Sequence, residues 1–401
     1  MTASNLGETF DVAVVGGGPA GATAAMALAQ RGHSVLLLDR AGRIKPCGGA
    51  IPPRLIKDFA IPDELICARI TSARMISPTD IHVDMPIDGG YVGMVDREGF
   101  DEWLRDRAAR AGAERRSGTF IRLTRDGDGT AVIAYKPQSG EGEALRTVRA
   151  RAVIGADGAN SAVAKHAMPG RKMPYVFAYH EIVRTPATPG AAYDGARCEV
   201  YYQGKLSPDF YAWVFPHGET ASVGVGSAQK GFSLRNATAA TREAAGLRDA
   251  ETIRCEGAPI PLKPLKRWDN RRDVILVGDA AGVVAPASGE GIYYAMVSGE
   301  MAAEAVGTFL QTGDARALAG ARRTFMKAHG RVFWVLRIMQ HFWYRNDRRR
   351  ERFVKICRDP DVQRLTWQAY MHKELVRADP MAHVRVFFKD LAHLFGLVAP
   401  R

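Results

Sequence analysis

The sequence predicts an α/β protein of two domains, and three observations carry that prediction. A β-branched run at 11–15 leads into a glycine-rich turn, a helix-favouring stretch and a second apolar run at 34–38. Two later apolar runs, within 152–161 and 274–279, end in an Asp-Gly and a Gly-Asp pair. At 401 residues the chain exceeds the size at which one hydrophobic core keeps growing, so two domains are expected.

The first of these segments has the order strand, GxGxxG, helix, strand, acid, which is the complete dinucleotide-binding unit. Gly16 allows the tight turn, and Gly18 lets the backbone approach a pyrophosphate at the positive end of the following helix. Gly21 lets that helix pack close to the strand. The residues expected to bind the nucleotide here are Gly16, Gly18, Pro19, Ala20, Gly21, Asp39 and Arg40.

Asp39 ends the second strand, where a carboxylate can hydrogen-bond both ribose hydroxyls. An acid at this point disfavours a 2′-phosphate, so NADP is not expected to be the tightly held nucleotide. The unit alone does not distinguish FAD from NAD.

The two later segments, AVIGADGANS at 152–161 and VILVGDAAGVVAPASGEGIYYA at 274–295, resemble those of the glutathione-reductase-like flavoproteins. The resemblance implies FAD, with Asp279 holding the ribityl chain and the glycine-rich start of the next helix approaching the flavin. The small residues before that helix independently suggest free N–H groups facing an electron-rich ligand. The residues assigned to FAD in these segments are Asp157, Gly278, Asp279, Pro286, Gly289, Gly291 and Ile292.

Arg97 precedes an amphipathic helix with Phe100, Leu104 and Ala108 on one face. In the family an arginine at this point reaches the cofactor, so Arg97 is assigned to FAD; an ordinary surface charge near a helix start is the alternative.

Three segments are similar to the geranylgeranyl reductases within these flavoproteins. IKPCGGAIPP (44–53) places Cys47 beside two glycines, PDFYAWVFP (208–216) fits the pattern PxxYxWxFP, and the later segment carries GEGI rather than the hydroxylases' GxGxN. The similarity spans roughly residues 8–310. SARMISPT (72–79) and GYVGMVDRE (90–98) further resemble the bacteriochlorophyll enzymes of photosynthetic bacteria.

Alternation along a strand places Tyr211, Trp213 and Phe215 on one face. Three aromatic rings in register suit a long isoprenoid, with the Tyr hydroxyl and the Trp N–H as the only polar handles. The alternative is a sheet face packed on its own core. The expected substrate-binding residues are Cys47, Gly48, Gly49, Tyr211, Trp213 and Phe215, and the catalytic candidates are Cys47, Tyr211 and Trp213. A lone cysteine is also often a small buried hydrophobe.

The resemblance implies FAD-dependent reduction of three double bonds of a geranylgeranyl group to phytyl, on geranylgeranyl bacteriochlorophyllide. Free geranylgeranyl diphosphate or a prenyl lipid is the alternative substrate. The alternative functions are an aromatic monooxygenase and a non-enzymatic, flavin-carrying assembly or pigment-chaperone protein. There is no second GxGxxG unit, so NADPH is expected to visit transiently; a ferredoxin is the alternative donor.

Five widely spread cysteines without a CxxC pair, and histidines without an HxxxH pair, predict no metal site. The net charge of +12 fits either an unspecialised basic surface or attraction to an anionic membrane, a diphosphate or a carboxylated pigment, and no nucleic-acid-binding module is present. The N-terminal MTASNLGETF lacks the features of a secretory signal, and the chain has no transmembrane-length apolar run. A cytoplasmic protein is therefore expected.

The FAD-binding domain, of the glutathione-reductase Rossmann-like type, is predicted to be discontinuous, formed by 1–70, 96–170 and 267–320. An antiparallel-sheet substrate domain is predicted from 71–95 and 171–266, and a helical region from 321–401. In that region Phe333, Leu336, Gln340 and Trp343 recur at helical spacing before five arginines at 345–352. This pattern suits either peripheral docking on the inner face of a photosynthetic membrane or a helix packed on the substrate domain.

Overall fold

The structure is a computed structural model that describes residues 8–42, 44–138, 144–186 and 193–373. The strands are β1 (Thr9–Val15), β2 (Val35–Asp39), β3 (Ala50–Ile51), β4 (Ala68–Ile70), β5 (Ser72–Ile76), β6 (His82–Pro86), β7 (Val92–Met94), β8 (Glu114–Arg125), β9 (Ala131–Pro137), β10 (Arg146–Gly155), β11 (Tyr175–Arg184), β12 (Arg197–Tyr201), β13 (Ala212–His217), β14 (Thr220–Ser227), β15 (Thr252–Pro261) and β16 (Val274–Leu276). The α-helices are α1 (Pro19–Ala29), α2 (Pro53–Asp58), α3 (Arg97–Arg110), α4 (Ala162–Ala167), α5 (Leu234–Ala244), α6 (Ile292–Thr312), α7 (Ala319–Trp343), α8 (Asp347–Ile356) and α9 (Pro360–His372).

The described residues divide into two compact units. The first is drawn from Met1–Lys45, Arg97–Tyr175 and Ile260–Gly330, and the second from Pro46–Asp96, Val176–Pro259 and Arg331–Arg401. The predicted boundaries differ mainly in two places. The predicted C-terminal region is divided, with 321–330 in the first unit and the described residues from 331 onward in the second, and segment 46–70, predicted in the nucleotide-binding domain, lies in the second unit. The reason for the latter is strand pairing, because β3 and β4 both pair antiparallel with β7 of that unit.

The first unit contains a six-stranded, mainly parallel sheet. β1 pairs in parallel with β2 and β10, β2 with β8, and β10 with β16, whereas β9 runs antiparallel to β8 and β10. The centre of β1 is fully buried, as expected for a parallel strand covered on both faces. This sheet confirms the α/β fold class.

The amphipathic helix predicted after Asp96 is α3. Its apolar face carries Phe100, Leu104 and Ala108, each at most 1% exposed. Spacings of four residues bring these side chains to one face, which is why the helical period is readable in the sequence.

The second unit contains a seven-stranded sheet of order β15-β11-β14-β13-β12-β5-β6. The pairings β11–β14, β14–β13, β13–β12 and β5–β6 are antiparallel, as predicted for this sheet. The pairing of β12 with β5 is parallel, which departs from the prediction. Strands this far apart in the chain are joined by a long connection and can pair in either direction.

The C-terminal part is helical through α7, α8 and α9, as predicted, up to His372. Residues 374–401, which belong to the same prediction, lie outside the described residues.

Candidate functional site

The glycine-rich turn between β1 and α1 has no room for side chains. Gly16 adopts φ +107°, and a Cβ there would lie 2.4 Å from the carbonyl oxygen of Ala156. A Cβ on Gly21 would lie 1.9 Å from the carbonyl oxygen of Gly16. The turn therefore closes on β10 and on itself, as the first and third glycines of the motif require.

The space in front of α1 is open. A Cβ on Gly18 would meet nothing within 4 Å, and this residue caps α1 without any side-chain hydrogen bond to the helix amides. Pro19 occupies the first turn, which contains no acidic residue. An uncapped helix start beside an open space is suited to a phosphate group.

Asp39 lies at the end of β2, with its side chain 24% exposed. Its Oδ2 is 3.2 Å from Nη1 of Arg105, and the same nitrogen is 3.5 Å from the carbonyl oxygen of Gly17. Arg105, which follows Leu104 on α3, was not identified from the sequence. It holds the carboxylate and the glycine turn together, while Arg40 beside them is exposed.

The Gly-Asp segment after β16 is held by two contacts. The amide of Gly278 (φ +57°) donates to Oγ of Ser298 at 3.0 Å. The carboxylate of Asp279, only 10% exposed, forms an ion pair with Lys45. Lys45 was not assigned a role from the sequence. Because of this ion pair, the carboxylate of Asp279 that a ligand would meet is already paired with a cation.

The loop before α6 turns at Gly289 (φ +65°) and ends at Gly291, which precedes the first helical residue, Ile292. The expectation that the first amides of this helix are free is wrong for one of them. The amide of Tyr293 donates to Oε1 of Glu290 at 3.1 Å. A carboxylate three residues upstream is a common way to satisfy such a donor, and it also places negative charge at the positive helix end. Pro286 is buried in the same loop.

Asp157 caps α4. Its Oδ2 accepts hydrogen bonds from the amides of Ala162 at 2.6 Å and Val163 at 3.1 Å, and its Oδ1 accepts from the hydroxyl of Ser161. This capping role accounts for an aspartate at position 157 without any ligand contact. Its assignment to FAD stays a prediction.

Arg97 is the first residue of α3 and is buried. Its guanidinium donates two hydrogen bonds to Asp101, at 2.9 and 2.7 Å, and both side chains are at most 6% exposed. The alternative of an ordinary surface charge is therefore wrong. A bidentate pair one helical turn apart fixes the guanidinium rigidly, and its contact with FAD stays a prediction.

In the second unit, Trp213 and Phe215 lie on β13 and Tyr211 immediately precedes it; we call these three residues the aromatic wall. Neighbouring rings lie 6.0 Å apart for Tyr211–Trp213 and 6.2 Å apart for Trp213–Phe215, centroid to centroid. The three predicted rings thus form one continuous surface.

The polar edge of the wall differs from the prediction at Trp213. Its indole N–H donates to Oγ of Ser222 on β14, at 3.1 Å. The N–H was expected to be a handle for the substrate, but the buried serine takes it. Buried donors are nearly always paired within the protein, which the strand alternation alone does not reveal.

The Cys47 loop packs on the same strand. A Cβ on Gly48 would lie 2.8 Å from the ring of Phe215, and one on Gly49 (φ +71°) would lie 2.4 Å from Nε2 of His217. The sulfur of Cys47 accepts the amide of Gly49 at 3.4 Å. The structure therefore brings together the predicted cysteine loop and the aromatic wall.

Burial raises the pKa of the Tyr211 phenol above its ordinary value, with Tyr344 and Cys47 adding to the effect. Burial likewise lowers the pKa of His217. Both groups are therefore neutral at pH 7.

Two family models match the chain. An FAD-binding domain matches residues 60–322, and an FAD-dependent oxidoreductase model matches residues 11–50. The chain is 58% identical to a geranylgeranyl diphosphate reductase of Rhodobacter capsulatus, over 98% of this chain and 99% of that protein. It is 39% identical to a chloroplastic geranylgeranyl diphosphate reductase of Oryza sativa, over 98% of this chain and 88% of that protein.

Among solved structures, a geranylgeranyl bacteriochlorophyll reductase-like protein of Thermoplasma acidophilum superposes with a TM-score of 0.78. The match covers 94% of this chain and 99% of that one, at 23% sequence identity. At that identity the superposition shows the shared fold.

Proposed function

Because the chain belongs to the geranylgeranyl reductase family of FAD-dependent oxidoreductases, we propose that it reduces three double bonds of a geranylgeranyl group to give phytyl. The proposed substrate is the geranylgeranyl ester of a bacteriochlorophyllide. Free geranylgeranyl diphosphate, after which the two relatives described above are named, is the competing substrate.

The observation that carries the proposal is the aromatic wall, in which the indole N–H of Trp213 is bound within the sheet. Since the indole N–H of Trp213 is bound to Ser222, the wall, whose Tyr211 and Trp213 rings are at most 7% exposed, offers few hydrogen-bonding groups. A hydrogen-bonding socket would hold a chain in one register, whereas ring surface allows an isoprenoid to slide and present successive double bonds. Reduction of several bonds in one chain requires that freedom.

FAD supplies the hydride when it is bound. The open space at Gly18 beside an uncapped helix start, together with Asp39 at the strand end, fits its pyrophosphate and ribose. In this proposal Asp279 holds the ribityl chain, and the turn from Pro286 to Ile292 approaches the flavin.

An isolated alkene also needs a proton at its second carbon, because no carbonyl stabilises the charge that develops during reduction. Cys47 and Tyr211 are the proposed donors. The raised pKa of Tyr211 keeps that phenol protonated at neutral pH, as a donor must be, but it also makes release of the proton costly. For this reason Cys47 is the first donor to test.

The proposed electron donor is NADPH, binding transiently, since the sequence holds one GxGxxG unit and that unit is assigned to FAD. A ferredoxin is the competing donor. Anaerobic reduction of the bound flavin by NADPH, followed at its visible absorbance, tests the first; bleaching only by a reduced ferredoxin would establish the second.

The test of the reaction uses purified FAD-loaded protein without oxygen, with NADPH and either geranylgeranyl bacteriochlorophyllide or geranylgeranyl diphosphate. Stepwise gain of three hydrogen pairs by mass on the pigment ester supports the proposal. Reduction of the diphosphate alone would establish the competing substrate. No product without oxygen, but gain of one oxygen atom in air, would establish a monooxygenase and refute the proposal.

The roles at the wall are tested with Cys47→Ser and Cys47→Ala. We expect both to retain FAD and its reduction by the donor, while oxidation of the reduced flavin by the alkene slows strongly. If both variants keep the wild-type rate of that step, Cys47 is packing only.

We further propose that the protein contacts an anionic membrane through the α7 patch, defined as Arg331, Trp334, Arg337 and Ile338. Trp334 is 66% exposed and Ile338 is 47% exposed, and both arginines are exposed beside them. Exposed aromatic and aliphatic side chains flanked by cations suit the interface of an anionic bilayer. None of the helices in the described part of the chain combines the length and the hydropathy of a membrane-spanning segment.

The patch differs from the residues predicted for this role. Phe333 and Trp343 are buried, so the predicted helical face packs inward. Of the arginine run, Arg350 is 2% exposed and Arg349 lies over the ring of Phe342, with its guanidinium carbon 4.2 Å from the ring centroid.

Co-sedimentation with phosphatidylglycerol vesicles tests the patch. Trp334→Glu combined with Ile338→Glu is expected to abolish sedimentation, and phosphatidylcholine vesicles are expected to bind weakly. Ile253→Glu is the matched control, because Ile253 is also 44% exposed but lies on β15. Equal binding by the double variant and the control would overturn this proposal.

A further inference from the structure

A buried chain of hydrogen bonds ends on the aromatic wall. In the second unit, Nε2 of His180 lies 3.0 Å from Oε2 of Glu256, and Nδ1 of His180 lies 2.8 Å from Oγ of Ser222. The same Oγ accepts the indole N–H of Trp213 at 3.1 Å. His180 is 3% exposed and Ser222 is 0% exposed.

The register of the sheet explains how an indole can reach this serine. Gly224 on β14 pairs with both Trp213 and His180 on the neighbouring strands. A Cβ at Gly224 would lie 2.3 Å from Cζ2 of Trp213 and 2.6 Å from Cβ of His180. The missing side chain leaves room for the indole to lie across β14.

The donors and acceptors of the chain can all be paired with one another. The indole N–H can only donate, so Oγ of Ser222 accepts it, and the serine hydroxyl proton is then available to Nδ1 of His180. Nδ1 accepts, Nε2 carries the proton, and Nε2–H donates to Glu256. This tautomer pairs every member of the chain, and Nε of Arg254 lies 2.9 Å from Oε1 of Glu256.

The order Glu-His-Ser is that of a hydrolytic triad, but the serine is not a nucleophile here. Ser222 is fully buried, and its oxygen is covered by the indole N–H. A nucleophile must face a substrate carbonyl. What the chain reaches instead is the ring of a wall residue.

We propose that Glu256, His180 and Ser222 form a positioning network that sets the plane of the Trp213 ring in the isoprenoid-binding wall. This inference rests on the proposed function. Three successive hydrogen bonds, beginning at the Glu256–Arg254 ion pair, hold the ring more firmly than packing alone, because rotation of the indole would leave its buried N–H without an acceptor. His180 and Ser222 act through Trp213 and need not touch the substrate.

The first test needs no substrate. In protein labelled with ¹⁵N-tryptophan, the Trp213 indole N–H resonance is identified by its absence in Trp213→Phe. Ser222→Ala is expected to shift that resonance and speed its hydrogen exchange by about tenfold or more. His180→Gln is expected to move the same resonance although it does not contact the indole nitrogen. An unmoved Trp213 resonance in both variants would overturn the network.

The second test is a double-mutant cycle on the oxidation of pre-reduced flavin by the geranylgeranyl substrate. Ser222→Ala is expected to slow this step about tenfold in the wild-type background and to have little effect in Trp213→Phe, which has no N–H to hold. Reduction of the flavin by its donor should not change. Equal losses in both backgrounds would show that Ser222 acts otherwise and refute the positioning role.

Ser227→Ala is the matched control. Ser227 is a buried serine on the same strand whose Oγ donates to Asp209 at 2.6 Å, outside the network. It should leave the Trp213 resonance in place. If wild-type protein fails to reduce any isoprenoid, the proposed function fails, whereas the resonance test still decides the network.

Discussion

Gly299 lies where α6 crosses α1, and replacing it by alanine tests how the nucleotide-binding helix is held. A Cβ at Gly299 would lie 2.3 Å from the carbonyl oxygen of Ala20 and 3.3 Å from the amide nitrogen of Ala24. The obstructing atom is backbone and cannot rotate away, so the helices must separate by roughly 1 Å to restore an ordinary contact.

The magnitude follows from two opposing terms. Alanine in a helix interior is favoured over glycine by about 1 kcal/mol, whereas overpacking costs about 1–3 kcal/mol and lies at the upper end when backbone obstructs. We expect Gly299→Ala to destabilise the protein by about 2 kcal/mol. Because Ala20 is in the first turn of α1, the displacement should also weaken FAD binding by about tenfold or more.

Gly307 on the same helix is the matched control. Its nearest neighbour would be 3.8 Å from the new Cβ, an ordinary contact, so Gly307→Ala should raise stability by about 0.5–1 kcal/mol. Thermal melting with and without FAD, and fluorescence titration of FAD into apoprotein, measure both effects. If the two variants melt at the same temperature and bind FAD equally, the close crossing does not constrain this helix, and the reasoning is wrong.

Three further substitutions test other parts of the structure. Gly16→Ala should abolish FAD retention on purification, because its φ of +107° and the adjacent carbonyl both exclude a side chain; wild-type flavin content would refute this. Arg350→Met should lower the free energy of unfolding by about 2–4 kcal/mol, since buried carbonyls lose their donor, whereas exposed Arg348→Met should change it by less than about 0.5 kcal/mol; equal effects would contradict the burial argument. Glu102, whose pKa is lowered to about 2 mainly by hydrogen bonding from Arg115, contributes stability above pH 4.5 that is lost as the pH falls toward 2. Glu102→Gln should therefore flatten the acid side of the melting-temperature profile, by less than about 1 kcal/mol because the carboxylate is half exposed; a profile parallel to wild type would exclude this origin.

Local patterns made the nucleotide-binding segment predictable. The roles of the glycines at 16, 18 and 21 are predicted from the geometry of one short turn. The role of Asp39 is predicted from its position at the end of the next strand. The aromatic wall was likewise predictable, because side chains alternate between the two faces of a strand and this pattern is local in the sequence. Arg105 and Lys45 were missed because each meets its acid only through tertiary packing.

One sequence pattern indicates part of the positioning network. Residues 222–227 read SVGVGS, with small residues at alternate positions beside a strand whose alternate residues are aromatic. That pattern indicates rings lying across a neighbouring strand. It does not identify His180. This residue lies on β11 and reaches Ser222 only because β11 is the neighbour of β14 in the sheet.

By itself the sequence determined the α/β fold, the FAD-binding motif, the candidate wall and the family. These features depend on hydrophobic periodicity and on the positions of glycines and acids within short segments. Such local patterns can be recognised in the amino-acid sequence alone. Only the tertiary structure decided where polar atoms find their partners: the Trp213 N–H on Ser222, the Tyr293 amide on Glu290, and the Arg350 guanidinium in the interior. A buried donor takes whichever acceptor packing brings within about 3 Å, and that choice is made by residues distant in sequence.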